Sequence, residues 1–206
     1  MTALDHLILA APDLERTVAW LEEGLGVRLA PGGSHPTAGT RNFLLGLGDS
    51  AYLEVLGPDT GQSVPREELP FGLGVPGHPR LCTWALRVTD VDARVAAARA
   101  AGHDPGDPAT MSRVDPSGAV VSGRITPPRA SEDGGLLPFL VDWGTTPHPS
   151  RGLPRAELAD LRGYHPDPDP VRQALRAVEA GLTLRRGSRP ALVATVRTPD
   201  GELTLN

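Results

Sequence analysis

The chain contains no lysine, since all 20 of its basic residues are arginine. That excludes Schiff-base catalysis and the lysine-dependent phosphate loop. "GLGVPG" accordingly lacks both the lysine and the strand-to-helix setting of such a loop. There is one cysteine, Cys82, so no internal disulfide can form, as expected in a reducing cytoplasm. No G-x-S-x-G elbow is present for a serine hydrolase. The chain shows no basic leader, no lipidation motif and no apolar run near the roughly 20 residues of a membrane span, so a cytoplasmic protein without a membrane partner is expected. A net charge of -5 leaves no positive excess for phosphate backbones, which excludes nucleic acid as the main partner.

What is present is patterned. The 206 residues are 39% hydrophobic, enough for one domain with a core or for two fused modules, and the 24 Gly and 22 Pro are spread between periodic segments as turns. "LDHLILA" (residues 4–10) reads as a buried strand, followed by a helix capped by Asp13, with Leu14, Val18, Leu21 and Leu25 as its apolar stripe. "VRLA", "TRNFLLGLG" and "AYLEVLG" read as three further strands. The same grammar returns at a fixed spacing of 77, which carries Asp13 onto Asp90, Leu4 onto Leu81 and Leu14 onto Val91. Strands are expected near Thr110 to Val114, Ala119 to Ile125 and Pro138 to Trp143. A third, shortened copy begins with a strand near Glu157 to Arg162 and a helix capped by Asp169 with Pro170 at its first position, and ends in "ALVATVRT" and "ELTL". The expected fold is α+β, with tandem βαβββ modules at 1–59 and 80–147, a connector at 60–79 and a partial C-terminal module at 148–206.

His6 breaks the apolar run of its strand. Strict alternation turns Leu4, His6 and Ile8 one way and Asp5, Leu7 and Leu9 the other. Glu54 sits likewise in an apolar strand, where an unpaired carboxylate would be costly, so a metal, an arginine or a substrate must answer it. Arg41 and Arg87 are candidates to neutralise it or to grip an anionic ligand. Trp84 falls on the core face of its strand, and Cys82, by alternation, on the helix-facing side as an inert thiol. "HPDPDP" (165–170) reads as a rigid approach to the third helix, and His35, His78, His103 and His148 stand in loops without ligand spacing.

Together, "LDHLILAAPDLERTVAW", "YLEVLG" and "CTWALRVTDVDA" resemble the glyoxalase-like branch of the vicinal oxygen chelate superfamily, in which paired βαβββ modules form a cup around a divalent metal. The resemblance implies ligands on the first and last strands of each module. These positions match His6 and Glu54 in module one and Asp142 in module two, while Thr83 stands where a second histidine would fall. It implies a site for Mn, Fe(II), Zn or Mg in a lyase, isomerase or dioxygenase acting on a small oxygenated molecule. In that reading Glu54 is catalytic as well as a ligand, and Arg41, Thr83 and Arg87 bind substrate. Thr83 equally favours a metal-free binder that sequesters a small molecule, with His6 hydrogen-bonded to Glu54. The resemblance also implies a homodimer.

Overall fold

Asp13 and Asp90 turn a strand into a helix in the same way. Each sits in extended backbone and accepts a hydrogen bond from the amide three residues on, Arg16 N at 3.1 Å and Ala93 N at 3.0 Å. The computed structural model describes residues 2–128 and 133–206. Its first module comprises β1 (Ala3–Ala10), α1 (Leu14–Leu25), β2 (Ala30–His35), β3 (Thr40–Leu47) and β4 (Ala51–Pro58). The second comprises β5 (Arg80–Arg87), α2 (Val91–Ala100), β6 (Ala109–Val114), β7 (Val120–Ile125) and β8 (Phe139–Asp142). The spacing of 77 holds for both ends of the first strand and for the helix start. β2 lies later than "VRLA" suggests, on "APGGSH", whose Pro and Gly carry no strand signal and which is held by pairing with β3.

In both modules the first strand pairs parallel with the last, β1 with β4 and β5 with β8. β1 pairs antiparallel with β5, and Ser34 of β2 with Val114 of β6. These contacts close β1, β4, β3, β2, β6, β7, β8 and β5 into a ring. The helix side of the ring is the main core, where Leu7, Leu9, Leu21, Leu53 and Leu140 are almost fully buried. Each contributes about 1.5 to 3 kcal/mol by leaving water. Trp84 belongs to this core, its indole N–H donating to the Leu136 carbonyl at 3.0 Å.

The remaining elements are β9 (Arg155–His165), α3 (Pro168–Ala177), β10 (Thr183–Arg186), β11 (Ala191–Arg197) and β12 (Glu202–Leu205). This unit repeats the order strand, helix, three strands, but its pairing differs. β9 lies between β10 and β11 and extends the sheet through a parallel contact with β3. The N-cap of α3 is Asp167, two residues before the expected Asp169, which instead lies in the first turn and accepts from Arg172 at 2.8 Å. Residues 60–79 form two short turns that bury Leu69 and Leu73 beside the ring. No helix among the described residues is long and apolar enough to cross a membrane.

Candidate functional site

The interior of the ring is a cavity of about 1070 Å³. Its polar side chains are concentrated in the first module, while the inward face of β7 and β8 is apolar and β6 adds Thr110, Ser112 and Arg113. The first module contributes His6, His35, Thr40, Asn42, Tyr52 and Glu54. Facing them from the second module are Met111, Ile125, Phe139, Val141 and Trp143.

His6 points inward because β1 does not alternate strictly. Leu4 pairs with Leu86 and His6 with Ala85, so Asp5 is the extra residue of a β-bulge. Leu4 consequently packs against the helix-side core, while His6 and Ile8 face the cavity. The bulge also brings Asp5, 0% exposed, to its neighbour, with Oδ1 2.6 Å from His6 Nδ1. Its second oxygen accepts from Trp143 Nε1 at 2.9 Å and meets His148 Nε2 at 2.8 Å. Burial pushes the Asp5 carboxyl up, but the bonds from His148 and His6 outweigh it and hold the group far below its ordinary value of 3.8. An ionised Asp5 requires the Nδ1 proton on His6, which aims the Nε2 lone pair of the neutral ring at the cavity.

That nitrogen faces Glu54 Oε2 at 3.6 Å. Glu54 Oε1 accepts from Asn42 Nδ2 at 2.6 Å and lies 3.9 Å from His35 Nε2. Burial lowers His35 below its ordinary value of 6.5 against the pull of Glu54, and its Nδ1 meets Thr40 Oγ1 at 3.2 Å. Tyr52 stacks on His6 with ring centroids 4.7 Å apart, and Phe139 meets His6 edge-on at 5.4 Å. Burial, with the charges of Asp5 and Glu54, raises Tyr52 well above the usual phenol range, so its hydroxyl remains a donor.

The other expected site residues lie elsewhere. Asp142 is turned to the start of α2, accepting from Val91 N at 3.3 Å and from Gly144 N at 2.9 Å. Strand register explains why. Ile8 pairs with Glu54, and its counterpart Ala85 pairs with Phe139, so an apolar ring occupies the position equivalent to Glu54. Arg41 alternates outward from Asn42, pairs with Glu15 and stacks over Phe43 at 5.9 Å. Arg87, at the far end of β5, reaches toward the Ser50 carbonyl at 3.5 Å. Thr83 is buried beneath the cavity wall with no hydrogen-bond partner for Oγ1 among the described residues. Cys82 packs on the cavity side, not the helix side, because a second irregularity in the β1–β5 register sets Leu81 opposite Leu9 and Thr83 opposite Ile8. Its thiol, bonded to the Ile8 carbonyl at 3.4 Å, is pushed up to about 12 by burial.

This donor set does not fit a divalent metal centre. Among the described residues no three His, Cys, Asp or Glu converge as ligands. Asn42 occupies one oxygen of Glu54, and the second module supplies Ala85, Phe139 and Val141 where donors would be needed. Asp5, Asn42, His35 and His148 were the residues that sequence patterning missed. Asp5 and Asn42 each flank a residue singled out, whereas His148 is 143 positions from the carboxylate it holds.

Two edge-paired βαβββ modules thus enclose a cup whose polar groups come mainly from the first. The chain belongs to the glyoxalase-like domain family, whose model matches residues 4–179. A hypothetical protein from Staphylococcus aureus shares the fold, with a TM-score of 0.71 and 12% identity over 100% of this chain and 99% of that one. Methylmalonyl-CoA epimerase from Mycobacterium tuberculosis aligns at 21% identity with a TM-score of 0.42, over 70% of this chain and 88% of that one. A Streptomyces coelicolor methylmalonyl-CoA epimerase variant in complex with 2-nitronate-propionyl-CoA aligns at 23% identity and 0.44, over 69% and 97%. No curated protein matches.

Proposed function

We propose that the cup binds a small oxygenated molecule and moves a proton on it, as an isomerase or lyase of carbonyl compounds. The observation that carries this reading is His6 held between Asp5 at 2.6 Å and Glu54 at 3.6 Å, with Nε2 turned to the cavity. Asp5 fixes the tautomer and stabilises the ring when it takes up a proton. With Nδ1 committed to Asp5, Nε2 is the free base: it takes a proton from a carbon beside a carbonyl, leaving an enolate, and returns that proton to carbon, with the Glu54 carboxylate 3.6 Å away stabilising the imidazolium in between. Asn42 holds the Glu54 carboxylate in place, and the Tyr52 hydroxyl is a donor for the substrate oxygen. No step is assigned to a metal, because the donors do not converge on one.

The test is solvent-deuterium exchange at carbons beside carbonyl groups, followed by proton NMR over a set of small ketones and oxo acids. His6→Gln and Glu54→Gln should each slow exchange by roughly 10²-fold or more while leaving ligand binding in place. Exchange unchanged in both variants would sink the proposal. The apolar wall of Phe139, Val141 and Trp143 favours a second reading, a binder that sequesters its ligand. A stable complex with no exchange on any carbonyl compound would select it.

A further inference from the structure

Among the described residues, several surface arginines hold a carboxylate, such as Arg28 with Glu22, Arg94 with Glu179, Arg99 with Asp104 and Asp107, Arg155 with Asp49 and Arg197 with Glu202. Two cavity-lining arginines do not. Arg113 of β6 is 7% exposed, lines the cavity and donates one guanidinium N–H to the Gly32 carbonyl, with no ion pair among the described residues. Arg80 stands at the rim beside Phe71 and Gly72 and donates to the Phe71 carbonyl, also without a carboxylate. A guanidinium offers five donors in a fixed fork, and burying it with one neutral acceptor is costly unless an anion completes it. Asp5 and Glu54 are already engaged by His148, Trp143, His6 and Asn42, and Asp115, which lies within the field of Arg113, forms no ion pair with it and accepts from Ser117 and Ala119.

We propose that the ligand is an apolar organic acid whose carboxylate is bound by Arg113. The shape of the cavity orders the rest of the molecule. Arg113 and Met111 project from the same strand, so an acid gripped at Arg113 lays its hydrocarbon part on Met111, Ile125 and Phe139. Its carbonyl then lies toward His6 and Glu54 across the cavity. Arg80 adds a second positive charge at the opening, which draws anions in. The inference rests on the proton-transfer reading for the role of the carbonyl, but the anion site stands on the two unpaired guanidiniums alone.

Calorimetric titration with 4-methyl-2-oxopentanoate and phenylpyruvate, each beside its neutral methyl ester, tests the proposal on the full chain. The acids should bind at least tenfold more tightly than their esters. Arg113→Gln, which keeps a donor for Gly32, should abolish that preference, and Arg80→Gln should weaken acids by a smaller factor. Should Arg113→Gln fail to fold, Arg113→Lys decides: loss of the two-point grip must lower the acid-to-ester ratio. Esters binding as well as acids, an unchanged ratio in the arginine variants, or no acid binding up to millimolar concentration would each overturn the assignment. The two readings fail separately. Arginine-dependent acid binding without carbon-proton exchange removes the catalytic reading and keeps the anion site. Carbon-proton exchange on oxo acids, with an acid-to-ester preference that Arg113→Gln leaves unchanged, does the reverse.

Discussion

The two modules share element order, strand pairing and a spacing of 77 residues, yet their first and last strands turn opposite chemistry to the cavity. Module one turns His6, Tyr52 and Glu54 inward, and module two turns Ala85, Phe139 and Val141 inward from the matching strands. The backbone repeat is set by the helix-side residues, Leu7, Leu9, Leu53 and Val55 against Trp84, Leu86 and Leu140, which are apolar in both copies. The inward positions are released from that constraint. One fold thereby supports a chemical wall and a shaping wall.

The sharpest way to break the comparison is to remove the chemistry from module one. Glu54→Gln and His6→Gln should lower proton exchange by roughly 10² to 10⁴-fold with small changes in melting temperature. On the other side, Trp84→Ala should destabilise by about 3 to 5 kcal/mol in a denaturant titration, since it empties the largest fully buried side chain of the shared core. The same variant should leave the acid-to-ester preference intact.

Asp5→Asn should cost about 1.5 to 3 kcal/mol, because a charged acceptor is replaced within a buried network. Its pH signature is distinct. The folded Asp5 carboxyl is depressed, so its stabilisation is fully present above the unfolded value near 3.8 and is lost as pH falls below it toward the folded value. A melting profile of the wild type should fall across that acid window, and the variant should fall less. A parallel decline would remove Asp5 as the cause.

Phe139→Glu tests whether the walls are interchangeable. It places a carboxylate at the register equivalent of Glu54, next to His6, and should confer a Zn-dependent rise in melting temperature that the unmodified chain lacks. No rise would show that side-chain identity alone does not separate the modules. The smallest effect belongs to Arg41→Ala, which removes an exposed ion pair with Glu15 and should change stability by less than about 1 kcal/mol, with no change in binding.

Much of this architecture was legible in the chain. α1 and α2 follow from capping aspartates and apolar stripes, and the repeat from its spacing. The cavity was legible only where alternation held. Glu54 follows from its strand, but the Asp5–His6 contact depends on a bulge, which no period-2 pattern contains. Asp142 reads as a carboxylate at a strand end, and only the pairing of Ala85 with Phe139 shows that the inward position lies three residues earlier. His148 is set by a loop that folds back over Tyr52, a relation among distant residues with no local sequence signal.

The ring closes between β2 and β6 through a single paired position, Ser34 with Val114. Elsewhere adjacent strands share longer ladders, seven residue pairs between β1 and β5 and six between β6 and β7. Within the ring this seam is therefore expected to open most readily, with its backbone amides exchanging ahead of those in the longer ladders. Arg113 crosses it, from β6 to the Gly32 carbonyl in β2. An anion that fixes this guanidinium would fasten the seam as well, so occupancy of the cup should register as slower hydrogen exchange along β2 and β6.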